Sequence, residues 1–279
     1  EVDDPLTLTN TVTTSLTITK DWAALTVPGS ITVTIWRTHN DNPDEWRSDS
    51  DGTKEVYQEN GKDKKVTLTS PGWTTTLSNL PKYDSSGKRW YYYAVEDSPG
   101  ANVKVIYEDS IAADKPEEKP TAPTETVITN IGIGSIEGTK TWQDNTDKYG
   151  TRPYDHPELT LYRTTEDVSS YDVDDWLGEW QETGGWEVVT KVEDGEKVEP
   201  TWEKISDNEW KFIYNDLELA SDNGEEYTFA VKETKDKGNY IAAATDAEDW
   251  TTGDYYEESR AKTNPNLNLI NTLHGEMDV

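Results

Sequence analysis

Residues 16–22 read LTITKDW, and their apolar residues alternate as the side chains of a β-strand do. Successive side chains of a strand point to opposite faces of its sheet, so Leu16, Ile18 and Trp22 share one face. Lys20 lies within the same row. Because lysine is almost never fully buried unless it is paired, the stretch predicts a strand whose buried face carries an amine that needs a partner.

The composition of the whole chain favours strands and excludes some classes of partner. The 279 residues include 12 Trp and 15 Tyr but 2 Phe, 1 Met and no Cys. Aromatic and β-branched residues are the ones that strands prefer, so an all-β fold is expected. The net charge of −30 would repel a phosphate backbone, so no nucleic acid is expected as a partner. No apolar run reaches the roughly 20 residues that a bilayer span needs, so no membrane contact is expected within this segment.

Two stretches of the chain recur, which indicates a duplicated domain. ITKDW at 18–22 matches GTKTW at 138–142, and the stretch at 73–96 matches the stretch at 210–233. Self-similarity at a fixed spacing is the signature of tandem repeats. The sequence therefore predicts two copies of one all-β domain.

The phase of the repeat sets the predicted domain boundaries. A boundary in the Pro-rich run at 114–123 would separate Asn130 from its own unit, so this run is expected to be a loop before a final strand. We predict domains at 13–134 and 135–279, the second with a longer insertion. Residues 1–12 are expected to be the last strand or linker of a preceding repeat, in a longer array.

Each copy also carries three polar residues in rows that are otherwise apolar. By the same alternation, Glu96 shares a face with Tyr92 and Ala94, and Asn130 shares one with Ile128. The two sets are Lys20, Glu96 and Asn130 in the first copy and Lys140, Glu233 and Asn271 in the second. Each set comes from three different predicted strands. We therefore expect an amine, an acid and a side-chain amide to meet in each interior.

Two outcomes are open for such a set on the residues alone. Burial lowers the pKa of a lysine and raises that of a glutamate, which makes the amine a nucleophile and the carboxyl a proton donor. Attack on the asparagine carboxamide would expel ammonia and leave an amide, helped by an effective concentration on the order of 10⁵ M. The alternative is a buried, hydrogen-bonded network without a covalent bond.

The chain resembles the B-type repeats of Gram-positive collagen adhesins and pilins, the CnaB-like domains. The resemblance is carried by KTWQDNTDKYGTRPYDHPELTLYRT at 140–164, WTTTLSNLPKYDSSGKRWYYYAVE at 73–96, YTFAVKE at 227–233 and the strands VITN and LIN. It implies two tandem immunoglobulin-like (prealbumin-type) β-sandwiches. It also implies isopeptide bonds between Lys20 and Asn130, promoted by Glu96, and between Lys140 and Asn271, promoted by Glu233.

The first copy departs from the family pattern, because WAALTVPGS at 22–30 stands where an Asp/Asn-rich loop is usual. Asn10 would need a lysine from a preceding unit, so we expect it to be unbonded here.

The resemblance implies a structural stalk segment of an adhesin or pilus-like protein, on the extracellular, wall-anchored surface of a Gram-positive bacterium. Bond formation would be single-turnover and would consume its own residues, so the chain is not expected to be an enzyme or to need a cofactor. The expected partners are neighbouring repeats of the same chain and a host matrix protein or glycan. The excised segment is expected to be monomeric.

The Trp-rich insertion at 171–189 supports an alternative function. Trp176, Trp180 and Trp186 could stack on a glycan or bind a host matrix protein, although aromatic side chains in such an insertion more often cover a neighbouring apolar surface. Asp174, Asp175 and Glu179 offer a glycosidase-like carboxylate pair, but 56 acidic residues make such neighbours common by chance.

Metal binding is not expected. The stretch SDSDGTKE at 48–55 resembles a calcium loop, but Arg47 and Gln58 stand where a full loop needs oxygen ligands of carboxylate type, so a turn is expected. The three histidines, at 39, 156 and 274, lack the spacing of a zinc site and are expected to lie in solvent.

Overall fold

A computed structural model of the chain describes residues 12–48, 54–112, 123–148, 152, 156–168, 185–191, 195–233, 256–260 and 267–273, with 256–260 described by backbone alone. The chain divides into two compact units, the first comprising residues up to Gly132 and the second most of the residues from Ile133 onward. The predicted domain limits of 13–134 and 135–279 stay a prediction. The predictions for 1–12 and for Asn10 concern residues 1–11, which lie outside the described residues.

The first unit is built from two sheets. Its strands are β1 (Thr13–Ala23), β2 (Ser30–Thr38), β3 (Glu55–Val56), β4 (Gln58–Glu59), β5 (Lys62–Asp63), β6 (Lys65–Thr69), β7 (Thr74–Pro81), β8 (Tyr91–Glu96), β9 (Val103–Ile111) and the start of β10 (Thr124–Gln143). One sheet has the order β9-β10-β1-β7, with β1 and β10 parallel. The other is centred on β2, which pairs with β3, β6 and β8, all antiparallel. Strands β4 and β5 form a small separate hairpin.

The second unit repeats this arrangement. Its strands are the second part of β10, β11 (Leu159–Thr164), β12 (Glu187–Val188), β13 (Thr201–Lys204), β14 (Glu209–Glu218), β15 (Thr228–Glu233), β16 (Tyr256–Arg260) and β17 (Asn268–Leu273). One sheet has the order β16-β17-β10-β14-β13, and β10 and β17 are parallel. The other has the order β12-β11-β15. Each unit therefore pairs its first strand in parallel with its last.

In each unit, apolar side chains from the two sheets form one core. In the first unit, Leu16 and Ile128 of one sheet pack in a cluster with Ile35 and Tyr92 of the other. In the second, Phe212 and Leu269 share a cluster with Leu161 and Val231. The prediction of an all-β chain of two tandem β-sandwiches is confirmed. Among the described residues no helix is long and apolar enough to cross a membrane.

The two units also share a local irregularity, which supports the duplication. The pairing of β1 with β7 shifts register between Thr14 and Leu16, and that of β10 with β14 shifts between Gly134 and Ile136. The partner strands carry a left-handed residue at the matching position, Asn79 with φ 63° and Asp216 with φ 57°. Asn and Asp tolerate this conformation better than other side chains do. The copies therefore preserve backbone geometry as well as sequence.

An additional layer covers the outer face of β8. A short 3-10 helix (Pro43–Glu45) leads into Trp46, which is fully buried. The Trp46 ring lies 6.0 Å from that of Tyr91 and 5.8 Å from that of Tyr93, between centroids. Its Nε1 donates to Asn40 O at 2.9 Å. Because of this cover, β8 is buried on both faces rather than on one.

The prediction that the histidines lie in solvent is wrong for His39. Its ring stacks on Trp90 with centroids 3.5 Å apart, and its Nδ1 lies 2.6 Å from Arg89 O. Its Nε2 lies 3.3 Å from Asp84 Oδ2. His156 stacks on Trp202 at 4.4 Å, and His274 lies outside the described residues. Aromatic rings from residues distant in sequence stack on these imidazoles, which sequence spacing does not reveal.

We expect Trp46→Ala to lower the free energy of unfolding of the first unit by about 3–5 kcal/mol, the usual cost of removing a buried Trp side chain. Urea unfolding followed by fluorescence and circular dichroism measures this change. The matched control is Val27→Ala, since Val27 is 45% exposed, and surface changes usually stay within about 0.5 kcal/mol. Equal effects of the two substitutions would contradict the packing of Trp46 described above.

Candidate functional site

The strand register of the first unit places Lys20 and Asn130 on the same face of one sheet. In the parallel pair of β1 and β10, Lys20 lies opposite Ile128 and Trp22 lies opposite Asn130. Residues two apart on a strand share a face. Lys20 and Asn130 are therefore diagonal neighbours across adjacent strands, a separation that a lysine side chain can span.

The second unit reproduces this register. In the parallel pair of β10 and β17, Lys140 lies opposite Leu269 and Trp142 lies opposite Asn271. The lysine is again offset by two residues from the asparagine, with a tryptophan directly opposite the amide. The same offset in both units indicates a constraint on the pair.

The third member comes from the facing sheet. Glu96 is the last residue of β8 and Glu233 the last residue of β15. All six side chains are buried, with exposed fractions of 1% for Lys20, 6% for Glu96, 0% for Asn130, 0% for Lys140, 3% for Glu233 and 1% for Asn271. The structure thus brings together the residues that alternation placed inside. We call Lys20, Glu96 and Asn130 the first site and the other three the second site.

In the first site, the carboxyl contacts the amide and the amine contacts backbone. Asn130 Nδ2 donates to Glu96 Oε1 at 3.2 Å. Lys20 Nζ donates to Asp21 O at 2.7 Å and to Ile128 O at 3.3 Å. Tyr107 Oη accepts from the Glu96 backbone N–H at 3.2 Å, which fixes the end of β8 against the sheet that carries the lysine.

In the second site, the carboxyl contacts both partners. Lys140 Nζ donates to Glu233 Oε2 at 3.0 Å. Asn271 Nδ2 lies 3.2 Å from Oε1 and 3.1 Å from Oε2 of the same carboxyl. Glu233 therefore bridges the amine and the amide.

A tryptophan covers the lysine amine in each site, which the sequence analysis did not anticipate. Lys20 Nζ lies 3.9 Å from the ring centroid of Trp22, and Lys140 Nζ lies 4.6 Å from that of Trp142. The ring excludes water from one side of the amine. The repeated spacing Lys-x-Trp, in KDW and KTW, was the available signal.

Burial dominates the electrostatics of the first site. It lowers the pKa of Lys20 from 10.5 to about 8, against the opposing influence of the Glu96 and Asp21 charges. Burial also raises the pKa of Glu96, against the Lys20 charge and the hydrogen bond from Asn130. Both shifts favour the neutral forms, because removal from water penalises a charge. A neutral amine beside a protonated carboxyl is a nucleophile beside a proton donor.

Both sites leave the same atom unpaired. Among the described residues, Asn130 Oδ1 and Asn271 Oδ1 are buried and have no hydrogen-bond partner. An unpaired buried carbonyl costs about 1–3 kcal/mol, so neither site is a fully satisfied polar network. Each carbonyl oxygen is thus available to a proton donor.

A second polar cluster joins the two sheets of the first unit and was also missed. Arg47 forms an ion pair with Asp109, and its Nη2 donates to Ala94 O at 2.7 Å. Thr126 Oγ1 donates to Asp109 Oδ1 at 2.7 Å and accepts from Ala94 N at 3.2 Å. Burial raises the pKa of Asp109, against the Arg47 charge. The guanidinium also lies 3.9 Å from the centroid of the Tyr107 ring, which connects this cluster to the residue that holds Glu96.

Most of the Trp-rich insertion lies outside the described residues. This applies to Trp176 and Trp180 and to the carboxylates of Asp174, Asp175 and Glu179. Trp186 is described, and it packs against the cluster formed by Tyr162 and Ala230. Trp186 therefore covers a neighbouring apolar surface.

The stretch at 48–55 is described only at its two ends, because 49–53 lie outside the described residues. Lys54 Nζ donates to Arg47 O at 2.7 Å, and Glu55 accepts from Arg37 Nε at 2.8 Å. In the described part of the chain, no group of three or more His, Asp or Glu side chains is placed to hold a metal ion.

Three solved structures similar to this chain are those of pilus proteins, each at low identity. The pilus adhesin SpaC from Lactobacillus rhamnosus GG is 13% identical with a TM-score of 0.26, and the match covers 94% of this chain and 28% of that one. The shaft pilin SpaA of the same organism is 16% identical with a TM-score of 0.24, covering 95% and 100%. The major pilin SpaD from Corynebacterium diphtheriae is 12% identical with a TM-score of 0.28, covering 79% and 56%. The chain thus spans about a quarter of the length of the SpaC chain.

No curated protein sequence matches the chain. The family model for the Cna protein B-type domain matches residues 16–130, 136–199 and 188–253. These segments cover most of the chain and include the lysine and glutamate of both sites. The chain belongs to the family of Cna protein B-type domains.

Proposed function

We propose that this chain is a structural stalk segment of a Gram-positive surface adhesin or pilus-like protein, held by two intramolecular isopeptide bonds. The bonds would join Lys20 to Asn130 and Lys140 to Asn271. The observation that carries the proposal is the recurrence of a buried lysine, glutamate and asparagine at the same strand register in both units. Membership of the B-type family supports the structural role.

The chemistry is a transfer of an acyl group between two nitrogen atoms. The neutral Nζ of Lys20 attacks Cγ of Asn130, and the protonated Glu96 donates to the unpaired Oδ1 once the carboxamide turns toward it. The carboxyl then carries a proton from the attacking nitrogen to the departing one. The Cγ–Nδ2 bond breaks, ammonia leaves, and a secondary amide remains. The second site follows the same sequence with Glu233 as the proton carrier.

The position of the bonds suits a protein under tension. In each unit the bond would join the first strand to the last strand, through which force enters a domain of a stalk. The load could then pass through the cross-link without shearing the two strands apart. Closing a loop of about 100 residues by a covalent bond is worth roughly 4–5 kcal/mol by analogy with a disulfide. The chain would gain this stability without cysteine.

Because each reaction consumes its own side chains, the protein turns over no substrate and is not proposed to be an enzyme. We propose that its partners are neighbouring repeats and other pilin or adhesin subunits. A position on the wall-anchored cell surface belongs to the same proposal.

We expect the intact mass of the purified chain to lie below the sequence mass by two molecules of ammonia, one for each bond. Lys20→Ala and Lys140→Ala should each restore one of them. Tryptic mapping should recover two branched peptides, one for each Lys–Asn pair. A mass equal to that of the unmodified sequence would exclude both bonds.

We expect Glu96→Gln to stop bond formation in the first unit alone, and Glu233→Gln to stop it in the second alone. Glutamine has nearly the same shape but carries no proton to the leaving nitrogen. Intact mass should therefore show each variant to have lost one ammonia, where the wild-type chain has lost two. Glu125→Gln is the control, since Glu125 is exposed on β10. Complete bond formation in a Glu96→Gln chain would argue against a role for the carboxyl.

A variant that retains the free amine should become more stable with rising pH. The pKa of Lys20 is lowered from 10.5 to about 8 in the fold, so between these pH values the unfolded chain binds more protons than the folded one. Stability rises with pH wherever this holds. We therefore expect the unfolding free energy of Asn130→Ala to rise over this interval, relative to the Lys20→Met/Asn130→Ala double variant. Parallel pH profiles of the two chains in urea unfolding would show that the amine is not desolvated.

A further inference from the structure

A cavity of about 660 Å³ lies against the first site. Trp22, Ile31 and Val103 form apolar parts of its lining, and Glu96 lines it as well. Other lining residues, such as Ser98, are exposed. The cavity therefore connects a buried carboxyl with the surrounding solvent.

Glu96 of the first site and the neighbouring Trp22 both belong to this lining, and each has an unsatisfied polar atom. Glu96 contacts Asn130 through Oε1, whereas its Oε2 is buried without a hydrogen-bond partner among the described residues. The Trp22 ring covers the Lys20 amine, and its Nε1 is likewise buried without a partner there. The carboxyl thus has one oxygen on the amide and one that is free for a small polar molecule.

The proposed reaction requires a route of this kind. Exchange of one amide for another releases little free energy, because the bond that forms resembles the bond that breaks. Ammonia held beside the new bond could attack it and reverse the reaction. Escape to water, where ammonia takes up a proton, removes the reverse reactant. The carboxyl ends the reaction protonated as it began, so ammonia is the one product that has to leave, and water takes its place.

We infer that this cavity is the route by which ammonia leaves the first site and water reaches Glu96. The inference rests on the proposed isopeptide function and adds a small-molecule path to it. It assigns the cavity to small polar solutes rather than to a peptide or glycan. Lys65 and Asp97 stand at the lining, where Lys65 Nζ donates to Asp97 Oδ2 at 2.8 Å. The two charges offset each other, so a small solute of either sign can pass.

The sharpest test replaces the carboxyl by a molecule that must enter through the cavity. The folded Glu96→Ala chain should form only the second bond, so its mass should lie one ammonia below the sequence mass. Added formate should then fill the vacated space and restore proton transfer. We expect loss of a second ammonia at a rate that rises with formate concentration, about tenfold or more above a chloride control of equal ionic strength. A bulky carboxylate such as pivalate should rescue less.

Two matched variants separate entry through the cavity from other effects. Ser98→Trp in the Glu96→Ala chain places a large ring among the exposed lining residues and should slow rescue by formate, whereas Ser98→Ala should leave it unchanged. Lys20→Met in the same chain removes the nucleophile and should abolish rescue. Equal rates of rescue in the Ser98→Trp and Ser98→Ala chains would overturn the inference.

The outcomes distinguish the two levels of the proposal. A wild-type chain that retains both ammonia molecules contradicts the isopeptide function itself. A wild type that has lost both, together with a folded Glu96→Ala chain that formate leaves unreacted, overturns the route alone.

Should Glu96→Ala fail to fold, Ser98→Trp and Ser98→Ala are compared in the otherwise wild-type chain during cell-free synthesis. Time-resolved mass should show several-fold slower bonding of the first unit with Ser98→Trp, and bonding as fast as with Ser98→Ala would overturn the inference.

Discussion

The parallel pairing of the first and last strands of each unit is the constraint on which the site depends. Parallel pairing fixes the offset between Lys20 and Asn130, and the same pairing fixes Lys140 and Asn271. Antiparallel neighbours flank both strands, so neither strand can slip without moving its whole apolar face into solvent. The core that packs each sandwich therefore also sets the position of the lysine and the asparagine. The same strand pairing therefore stabilises each sandwich and positions the residues of the proposed reaction.

Burial would give the site its proposed reactivity, and it also makes the site energetically costly. A buried amine and acid together cost more than an apolar pair of similar volume, and one unpaired amide oxygen in each unit adds to that cost. Desolvation moves the amine and the acid of the first site toward their neutral forms. A covalent bond would remove the cost, since the amine would lose its charge and the amide its free nitrogen. The buried, unbonded side chains are therefore consistent with the state that would precede the proposed isopeptide bond.

The sequence predicted the repeated features and missed the contacts formed by loops. Alternation along LTITKDW and WYYYAVE placed Lys20 and Glu96 inside, because strand faces follow a fixed period. The cover of Trp46 over β8, the stacking of His39 on Trp90 and the Arg47–Asp109 ion pair were not predicted. Each of these joins an irregular segment to residues far away in sequence. No period governs the path of such segments, so only the folded chain reveals their contacts.

Strand β10 has a consequence for how such a protein would stretch. Asn130 and Lys140 both lie on it, so with both bonds formed the backbone between the cross-links would be the nine residues 131–139 of a single strand. A strand rises about 3.3 Å per residue, close to the full reach of a polypeptide. The backbone of that segment is therefore almost fully extended. With both bonds formed, this segment could lengthen very little under load, because its backbone is already extended.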